Sequence, residues 1–105
     1  MEITAQELSV ALNAGQKLDL VDVRELDEWH IGHLSGALHI PLNEFPVRAP
    51  VELKGDSSIV VYCHHGMRSA RAQQFLISKG FSNVKNLRGG IDAWSTQVDA
   101  QMPRY

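Results

Sequence analysis

One segment, Ser58–Tyr62, limits the choice of fold more than any other part of the sequence. It reads Ser-Ile-Val-Val-Tyr, so its apolar residues follow one another without the alternation of a strand that is exposed on one face. β-branched and aromatic residues favour strands, and a continuous apolar strand is typical of a parallel sheet that is covered on both faces. The segment therefore predicts a strand buried on both faces of a parallel sheet.

Strand-like and helix-like patterns alternate along the rest of the chain. Further strands are predicted over residues 18–23, 37–40 and 83–87, helices over residues 5–13, 68–79 and 90–98, and one or two helical turns over residues 24–30. Thr4 followed by Glu7 is the capping-box pattern for the first helix. Strands that alternate with helices indicate an α/β fold with a parallel sheet.

The segment Phe45–Gly55 has the least regular pattern. It contains Pro46 and Pro50, and proline lacks a backbone donor and disfavours the interior of a helix. We therefore interpret the segment as a loop that contains at most a broken helix. Residues 102–105 are interpreted as a short tail.

Length and composition fit one domain spanning residues 1–105. The chain has 105 residues, of which 44% are apolar, close to the average of globular proteins. Ten Lys and Arg against twelve Asp and Glu give a formal net charge of −2, which offers no general attraction for nucleic acid. No apolar run approaches the ~20 residues that cross a bilayer, and the N-terminus lacks the features of a signal peptide. We therefore expect a cytoplasmic monomer that binds neither nucleic acid nor membrane.

The only cysteine, Cys63, comes directly after the strand predicted at Ser58–Tyr62. A single cysteine cannot form a disulfide within the chain, and it suits a reducing compartment. The stretch from Cys63 to Ser69 leads from strand to loop to helix, and ligands of open α/β sheets bind at such junctions. Backbone N–H groups at the helix start can surround an anion, while Gly66 permits a tight turn and Arg68 adds a fixed charge.

These neighbours predict a reactive thiol at position 63. Cationic groups and helix N-termini favour the thiolate, which is the nucleophilic form of cysteine. The alternative is an inert thiol buried in the core, the common fate of a lone cysteine. The combination of Cys, Gly, Arg and Ser at one strand–loop–helix junction argues for the reactive thiol.

Four short motifs occur in order between residues 19 and 95. Cys63, Arg68 and Ser69 form a Cys-x4-Arg-Ser loop. The other three are Asp-x-Arg-Glu at Asp22–Glu25, a His-rich segment at His30–Ala37, and a segment ending in Gly-Gly-x-x-Ala-Trp at Leu87–Trp94. Together they make the sequence resemble the single-domain rhodaneses, thiosulfate sulfurtransferase-like proteins whose His-x-x-Gly-His-Ile-x-Gly-Ala segment is one residue longer than the one here.

The resemblance implies a single rhodanese domain with a three-layer α/β/α fold and a five-stranded parallel sheet in the order 3-2-4-5-1. It also implies that Cys63 takes sulfur from thiosulfate or a persulfide donor and passes it to cyanide or a thiol. Cys63 and Arg68 would be catalytic. The persulfide would lie among the N–H groups of a loop formed by His64, His65, Gly66, Met67 and Ser69.

Other notable residues are given structural roles, and no cofactor is expected. Arg24 directly follows a predicted buried strand that carries Asp22, so we expect an ion pair that supports the loop. The five histidines occupy separate places and, with one cysteine, lack the spacings of a structural zinc site, so we expect no metal. Trp29 and Trp94 are expected to pack in or near the core. The sequence has no Gly-x-Gly-x-x-Gly or Walker A pattern for a nucleotide.

Two alternative functions stay open at this point. Phosphatases of a related fold place five residues between cysteine and arginine, whereas four separate Cys63 from Arg68, which disfavours a ring wide enough for phosphate. A persulfide carrier or protein-interaction module is not distinguished from an enzyme, because both need the same persulfide. The segment Val98–Tyr105 resembles the ends of rhodanese domains fused to adenylating enzymes, which is compatible with a protein that accepts the sulfur.

Overall fold

The computed structural model describes residues 1–105 and contains one sheet of five parallel strands. The strands are β1 (Glu2–Ile3), β2 (Asp19–Asp22), β3 (Leu38–His39), β4 (Ile59–Tyr62) and β5 (Val84–Leu87). They are arranged in the order β1-β5-β4-β2-β3, and every neighbouring pair is parallel. This is the expected order 3-2-4-5-1 counted from the other edge, so the predicted fold is confirmed.

Helices lie on both faces of the sheet. They are α1 (Ala5–Asn13), α2 (Leu26–Ile31), α3 (Phe45–Glu52), α4 (Met67–Ser78) and α5 (Gly90–Gln97). A 3₁₀ turn, Leu42–Glu44, leads into α3. The longest helix has 12 residues, and none combines the length and apolarity needed to cross a bilayer.

The side chains of β4 explain the three layers. All four residues of this strand are at most 1% exposed, as the continuous apolar run predicts. Ile59 and Val61 pack in a cluster with residues of α3 and α4, whereas Val60 and Tyr62 pack with residues of α1 and α5. Because successive side chains of a strand point to opposite faces, one apolar strand supplies both cores.

The predicted elements agree with the structure to within one or two residues at each end, apart from two regions. The capping box of α1 is present: the Thr4 hydroxyl accepts a hydrogen bond from the Glu7 N–H, and the Glu7 carboxylate accepts one from the Thr4 N–H. This agreement reflects local signals, since caps and apolar periodicity act over a few residues.

The interpretation of Phe45–Gly55 as a loop is wrong, because Phe45–Glu52 is the helix α3. Pro46 lies in the first turn, where a missing N–H costs nothing, and Pro50 removes one hydrogen bond. Two side chains one turn apart on the buried face, Phe45 and Ala49, are at most 1% exposed. Arg48 also pairs with glutamates one turn before and one turn after it. Burial of this face outweighs the lost bond.

The first strand, β1, has no counterpart among the strands predicted from local pattern. It consists of Glu2 and Ile3, which pair with Asn86 and Leu87 of β5. Two residues are too few to show a period, so only the pairing with β5 identifies this strand.

The parallel arrangement brings three loops to one edge of the sheet. Arg24 follows β2, Cys63 follows β4 and Gly89 follows β5, and these three strands are neighbours in the sheet. Residues more than 60 positions apart in sequence therefore meet around Cys63.

Candidate active site

Cys63 is the first residue after β4, and two backbone N–H groups donate hydrogen bonds to its sulfur. The residue is 1% exposed, and its Sγ accepts hydrogen bonds from the backbone N–H groups of Gly66 (3.1 Å) and Ser69 (3.4 Å). The Ser69 hydroxyl lies 3.3 Å from the same sulfur. Donors in this arrangement stabilise negative charge on sulfur, whether on the thiolate or on a second sulfur atom bonded to it.

The loop that holds the sulfur ends at Gly66, which caps α4. Gly66 has φ 110°, a left-handed conformation that favours glycine. This turn directs the first N–H groups of α4 toward the sulfur, and that of Ser69 reaches it. Met67, the other predicted loop residue, starts α4 and is 81% exposed.

The start of α5 fixes the orientation of the loop peptides. The carbonyl oxygens of Cys63 and His64 accept hydrogen bonds from the N–H groups of Ile91 (2.9 Å) and Asp92 (3.1 Å). N–H and C=O point in opposite directions across a trans peptide, so the N–H groups of His64 and His65 are turned away from α5. Those donors are therefore free for a ligand or for solvent.

Gly90 permits this close approach of α5 to the loop. Its φ is 62°, and a Cβ atom at this position would collide with the carbonyl oxygens of Cys63 and His64. A side chain at the second glycine of the Gly-Gly-x-x-Ala-Trp motif is thus excluded for a direct steric reason.

A polar side chain on β5 links the two halves of the loop. Asn86 is 4% exposed; its Oδ1 accepts a hydrogen bond from the Ser69 hydroxyl (2.6 Å), and its Nδ2 donates one to the carbonyl of Gly66 (2.9 Å). Asn86 thereby holds two of the residues that contact the Cys63 sulfur.

Arg68 is paired with a carboxylate from α2. Its Nη1 and Nη2 donate to the two oxygens of Glu28, at 2.7 and 2.9 Å. The Tyr105 hydroxyl donates to Glu28 Oε2 at 2.7 Å. The guanidinium of Arg68, aided by Tyr105, lowers the pKa of Glu28 to about 2. The charge that the sequence assigns to the anion site is thus offset by a negative charge from 40 residues earlier.

Arg24 and Asp22 form a second pair, which is fully buried. Both side chains are 0% exposed, and Arg24 Nη2 lies 2.6 Å from Asp22 Oδ2. Arg24 also donates from Nε to both Asp22 oxygens, from Nη2 to the carbonyl of Gly32, and from Nη1 to the Tyr105 hydroxyl. No hydrogen bond joins Arg24 to Cys63, and the pair instead links β2 to the segments at Gly32 and Tyr105.

Aromatic rings of the loop and of the tail stack at the mouth of the site. The His64 ring lies between those of His65 and Tyr105, with centroids 4.0 Å apart on both sides. Partial burial lowers the pKa of His64, and burial raises that of Tyr105 to about 12. His64 is therefore neutral and Tyr105 protonated at neutral pH. The sequence shows no sign that the tail covers the loop.

The fold brings one group of metal-ligand types together, although the sequence analysis expects no metal. His64, His65 and Asp92 each offer an atom within 4.8 Å of the others. Arg104 donates two hydrogen bonds to Asp92 Oδ1. A guanidinium on the only carboxylate of the group opposes a cation there, and no cofactor role follows.

The remaining histidines and tryptophans lie outside the loop. Trp29 stacks on His33, with ring centroids 3.5 Å apart, and on His39. His33 is also hydrogen-bonded to the carbonyl of Trp29, whereas His30 is exposed. Trp94 packs against the core cluster of α1 and α5, in line with its expected packing role.

Four residues around the loop were missed by the sequence analysis as parts of the site: Glu28, Asn86, Gly90 and Tyr105. Asn86 carries a usable signal, because a polar amide inside a short apolar strand needs buried partners. Glu28 and Tyr105 carry none, since a glutamate in a short helix and a tyrosine in a tail are ordinary surface residues.

One cleft in the protein surface is remote from Cys63. It has a volume of about 590 Å³ and is lined by α1, by Glu2 and Ile3, and by residues at the amino ends of β4 and β5, including Ser58 and Asn83. Cys63 lies at the carboxyl ends of these strands, so this cleft is not part of the candidate site.

Comparison with known proteins assigns residues 4–97 to the Rhodanese-like domain family. A "Sulfurtransferase" of Allochromatium vinosum is 38% identical over 94 residues, covering 90% of this chain and 87% of that protein. The crystal structure of a rhodanese-related protein from Thermoplasma volcanium superposes with a TM-score of 0.81 and 31% identity, over 97% of this chain and 94% of that one.

A longer relative is also similar. The Mycobacterium tuberculosis protein named "Probable adenylyltransferase/sulfurtransferase MoeZ" is 40% identical over 104 residues. The match covers 98% of this chain but only 26% of that protein, so the chain spans about a quarter of its length.

Proposed function

Since this chain belongs to the Rhodanese-like domain family, we propose that it is a sulfurtransferase in which Cys63 carries the transferred sulfur as a persulfide. The observation that carries the proposal is the pair of backbone donors on Sγ, the N–H groups of Gly66 and Ser69. A sulfurtransferase needs a nucleophilic sulfur and a place for a negatively charged second sulfur, and these donors serve both.

The transfer proceeds in two steps. The Cys63 thiolate attacks the outer sulfur of the donor; with thiosulfate, the bond to the central sulfur breaks and sulfite leaves with the electron pair. The outer sulfur is then bonded to Cys63 as a persulfide anion. An acceptor thiolate or cyanide attacks this sulfur in turn, and the Cys63 thiolate is regenerated.

The loop residues hold the persulfide between the two steps. The N–H groups of His64 and His65, turned away from α5, add donors to those of Gly66 and Ser69. Arg68 acts on the anion as a neighbouring charge, and Asn86 and Gly90 keep the loop in shape. Asp22 and Arg24 support the surrounding structure.

Intact-mass spectrometry tests the proposal. Incubation with thiosulfate, or with a protein persulfide donor, should add one sulfur atom, and dithiothreitol should remove it. Cys63→Ser is the matched variant, because it replaces one sulfur by oxygen and should show no gain. A folded wild-type protein that gains no sulfur from any donor would overturn the proposal.

A persulfide carrier with little turnover on free thiosulfate is the second candidate. It is favoured by the pairing of Arg68 with Glu28, which leaves a small anion less charge to bind. The name of MoeZ joins adenylyl transfer to sulfur transfer, and an adenylylated protein is one acceptor class that fits. Turnover on thiosulfate compared with turnover on a protein persulfide distinguishes the two candidates.

Location and assembly belong to the same proposal. Cys63 is a free thiol, and sulfur transfer requires it to stay reduced between turnovers. A cytoplasmic monomer of one rhodanese domain, acting on small sulfur compounds and on a protein acceptor, meets these requirements.

A further inference from the structure

The positive charges next to the Cys63 loop are offset by carboxylates. Arg24 pairs with Asp22, Arg68 with Glu28, and Arg104 with Asp92. Arg24 is fully buried, so an anion that approaches Cys63 meets the N–H donors of the loop and the partly exposed Arg68 and Arg104, both already bound to carboxylates.

The pair of Arg68 and Glu28 is the one that bears directly on the loop. Arg68 lies inside the Cys-x4-Arg segment, and its two terminal nitrogens are both used on Glu28. The carboxylate is held from two further sides, by the Tyr105 hydroxyl at 2.7 Å and by the Glu25 N–H at 3.0 Å. Its pKa of about 2 keeps it charged at every pH near neutrality.

Tyr105 fixes this arrangement from the tail. Its hydroxyl accepts a hydrogen bond from Arg24 Nη1 and donates its own proton to Glu28, so both sides of the oxygen are used. Its ring stacks on His64. Glu28 therefore cannot turn away from Arg68 without breaking a contact to a residue that is itself anchored twice.

We propose that Glu28, held by Tyr105, is a specificity-determining residue that makes the site favour sulfane-sulfur donors of low charge over the thiosulfate dianion. This inference rests on the proposed function and names its donor class: persulfides and thiosulfonates, whose transferable sulfur lies in a neutral or singly charged group.

The physical reason is the charge balance at the mouth. A dianion and a monoanion use the same N–H donors, but each unit of donor charge is repelled by Glu28, and this repulsion opposes the attraction of the paired Arg68. In a partly buried site, one uncompensated unit charge on the protein changes the affinity for a singly charged ligand by about tenfold or more. Removing the Glu28 charge should therefore benefit a dianion by about tenfold more than a monoanion.

Thiosulfate and methanethiosulfonate form a suitable pair of probes. Both donate an outer sulfur to the Cys63 thiolate, and the leaving groups are sulfite and methanesulfinate. Each exchange breaks one S–S bond and forms one, without any oxidant. The two donors carry two charges and one, so their ratio reports the charge preference.

Binding is measured on Cys63→Ser protein, in which no transfer can occur. Isothermal titration with each donor gives two dissociation constants, and their ratio is compared between Glu28→Gln and the unchanged Glu28. We expect Glu28→Gln to shift the ratio toward thiosulfate by about tenfold. Tyr105→Phe, which keeps the stack on His64 but loses the hydroxyl, should shift it in the same direction by a smaller factor.

Glu7→Gln is the matched control. Glu7 and Glu28 both occupy the third position of a helix in a capping box, and both accept a hydrogen bond from the N-cap N–H. Glu7 lies in the cleft at the amino ends of the strands, away from Cys63. Its substitution should leave the ratio unchanged, and thermal melts of all variants confirm that they are folded.

The outcomes separate this inference from the proposed function. An unchanged ratio in Glu28→Gln, or a failure of that variant to bind thiosulfate at all, overturns the inference. Sulfur uptake by Cys63 is read independently by intact mass on the active protein. A charge preference without sulfur uptake would refute the sulfurtransferase, and with it the donor class, but would leave the effect of Glu28 on anion binding standing.

Discussion

Two arginine–carboxylate pairs in this molecule have similar shortest N···O distances, 2.6 and 2.7 Å, but opposite surroundings. Arg24 with Asp22 is 0% exposed on both sides, whereas Arg68 with Glu28 is 35% and 14% exposed. The first pair joins residues two positions apart, and the second joins residues 40 positions apart. Tyr105 contacts both pairs.

The difference teaches where each pair acts. Loss of one partner in a buried pair leaves a charge that water cannot reach, so the free energy of unfolding decreases. A partly exposed pair can be solvated when one partner is lost, so the folded state changes little. The charge of the remaining partner is still close to the loop of Cys63, so we expect the affinity of that loop for an anion to change.

The largest expected effect comes from a substitution that breaks the buried pair. Arg24→Ala should destabilise the fold by about 3–5 kcal/mol, because Asp22 is left buried and unpaired. Urea unfolding measures the loss. A variant that unfolds near the wild-type midpoint but transfers no sulfur would show that Arg24 acts on the chemistry instead.

The next largest effect comes from a substitution that breaks the partly exposed pair. Arg68→Ala should slow sulfur transfer from thiosulfate about ten- to a hundredfold, because the attraction of its charge is lost and the charge of Glu28 is left uncompensated. Its melting temperature should stay near that of the wild type. Steady-state kinetics on thiosulfate measure the rate, and a thermal melt measures the melting temperature. A strongly destabilised Arg68→Ala with normal kinetics would show that the roles of the two arginines are reversed.

A double variant shows how much of that loss comes from the carboxylate left behind. In Arg68→Ala, Glu28 is uncompensated and repels the donor, so adding Glu28→Gln should restore part of the lost rate, up to about tenfold. Single and double variants are compared on the same donor. A double variant as slow as Arg68→Ala alone would mean that Glu28 has no influence on the anion.

A smaller effect separates charge from geometry. Arg68→Lys keeps the positive charge but cannot hold both Glu28 oxygens in one plane. It should retain more thiosulfate activity than Arg68→Ala and less than the wild type. If Arg68→Lys and Arg68→Ala are equally slow, the planar hydrogen-bonding group matters and the charge does not.

The smallest effect is a pH dependence of stability. Because the folded-state pKa of Glu28 lies at about 2, below its unfolded value of about 4.3, the pair stabilises the protein above the unfolded value. That contribution is lost as pH falls from about 4 through about 2. We expect only about 0.2–1 kcal/mol, since Arg68 is screened by water.

Urea unfolding of the wild type and Glu28→Gln at about pH 6 and about pH 3 measures this contribution. The stability difference between the two proteins should shrink at the lower pH. A difference that grows on acidification would mean that Glu28 is stabilised in its protonated form.

Much of the fold was readable because its signals are local. The run Ser58–Tyr62 marks β4, and the pair Thr4 and Glu7 marks the start of α1. The sequence does not predict the helix α3, because its two prolines are local signals against a helix. The burial of Phe45, which stabilises the helix, is not visible in the local pattern. The strand β1 was missed because its only support is pairing with β5.

The sequence by itself determined the strand–loop–helix element that carries Cys63. Cys63, Gly66, Arg68 and Ser69 lie within seven residues, where backbone geometry of a strand–loop–helix junction fixes which groups face the sulfur. Short-range steric rules suffice for such a segment, so its chemistry follows from the order of the residues.

Only the tertiary structure decided what surrounds that element. Glu28, Asn86 and Tyr105 reach the loop from three separate segments. The hydrogen bonds of Glu28 and Asn86 to the loop span from 17 to 40 residues of sequence, and Tyr105 stacks on His64. Such contacts depend on strand order and on the packing of helices, which no local pattern encodes. The charge that Arg68 presents to a sulfur donor is therefore set by a residue from another helix, because a Coulomb interaction depends on distance in space and not along the chain.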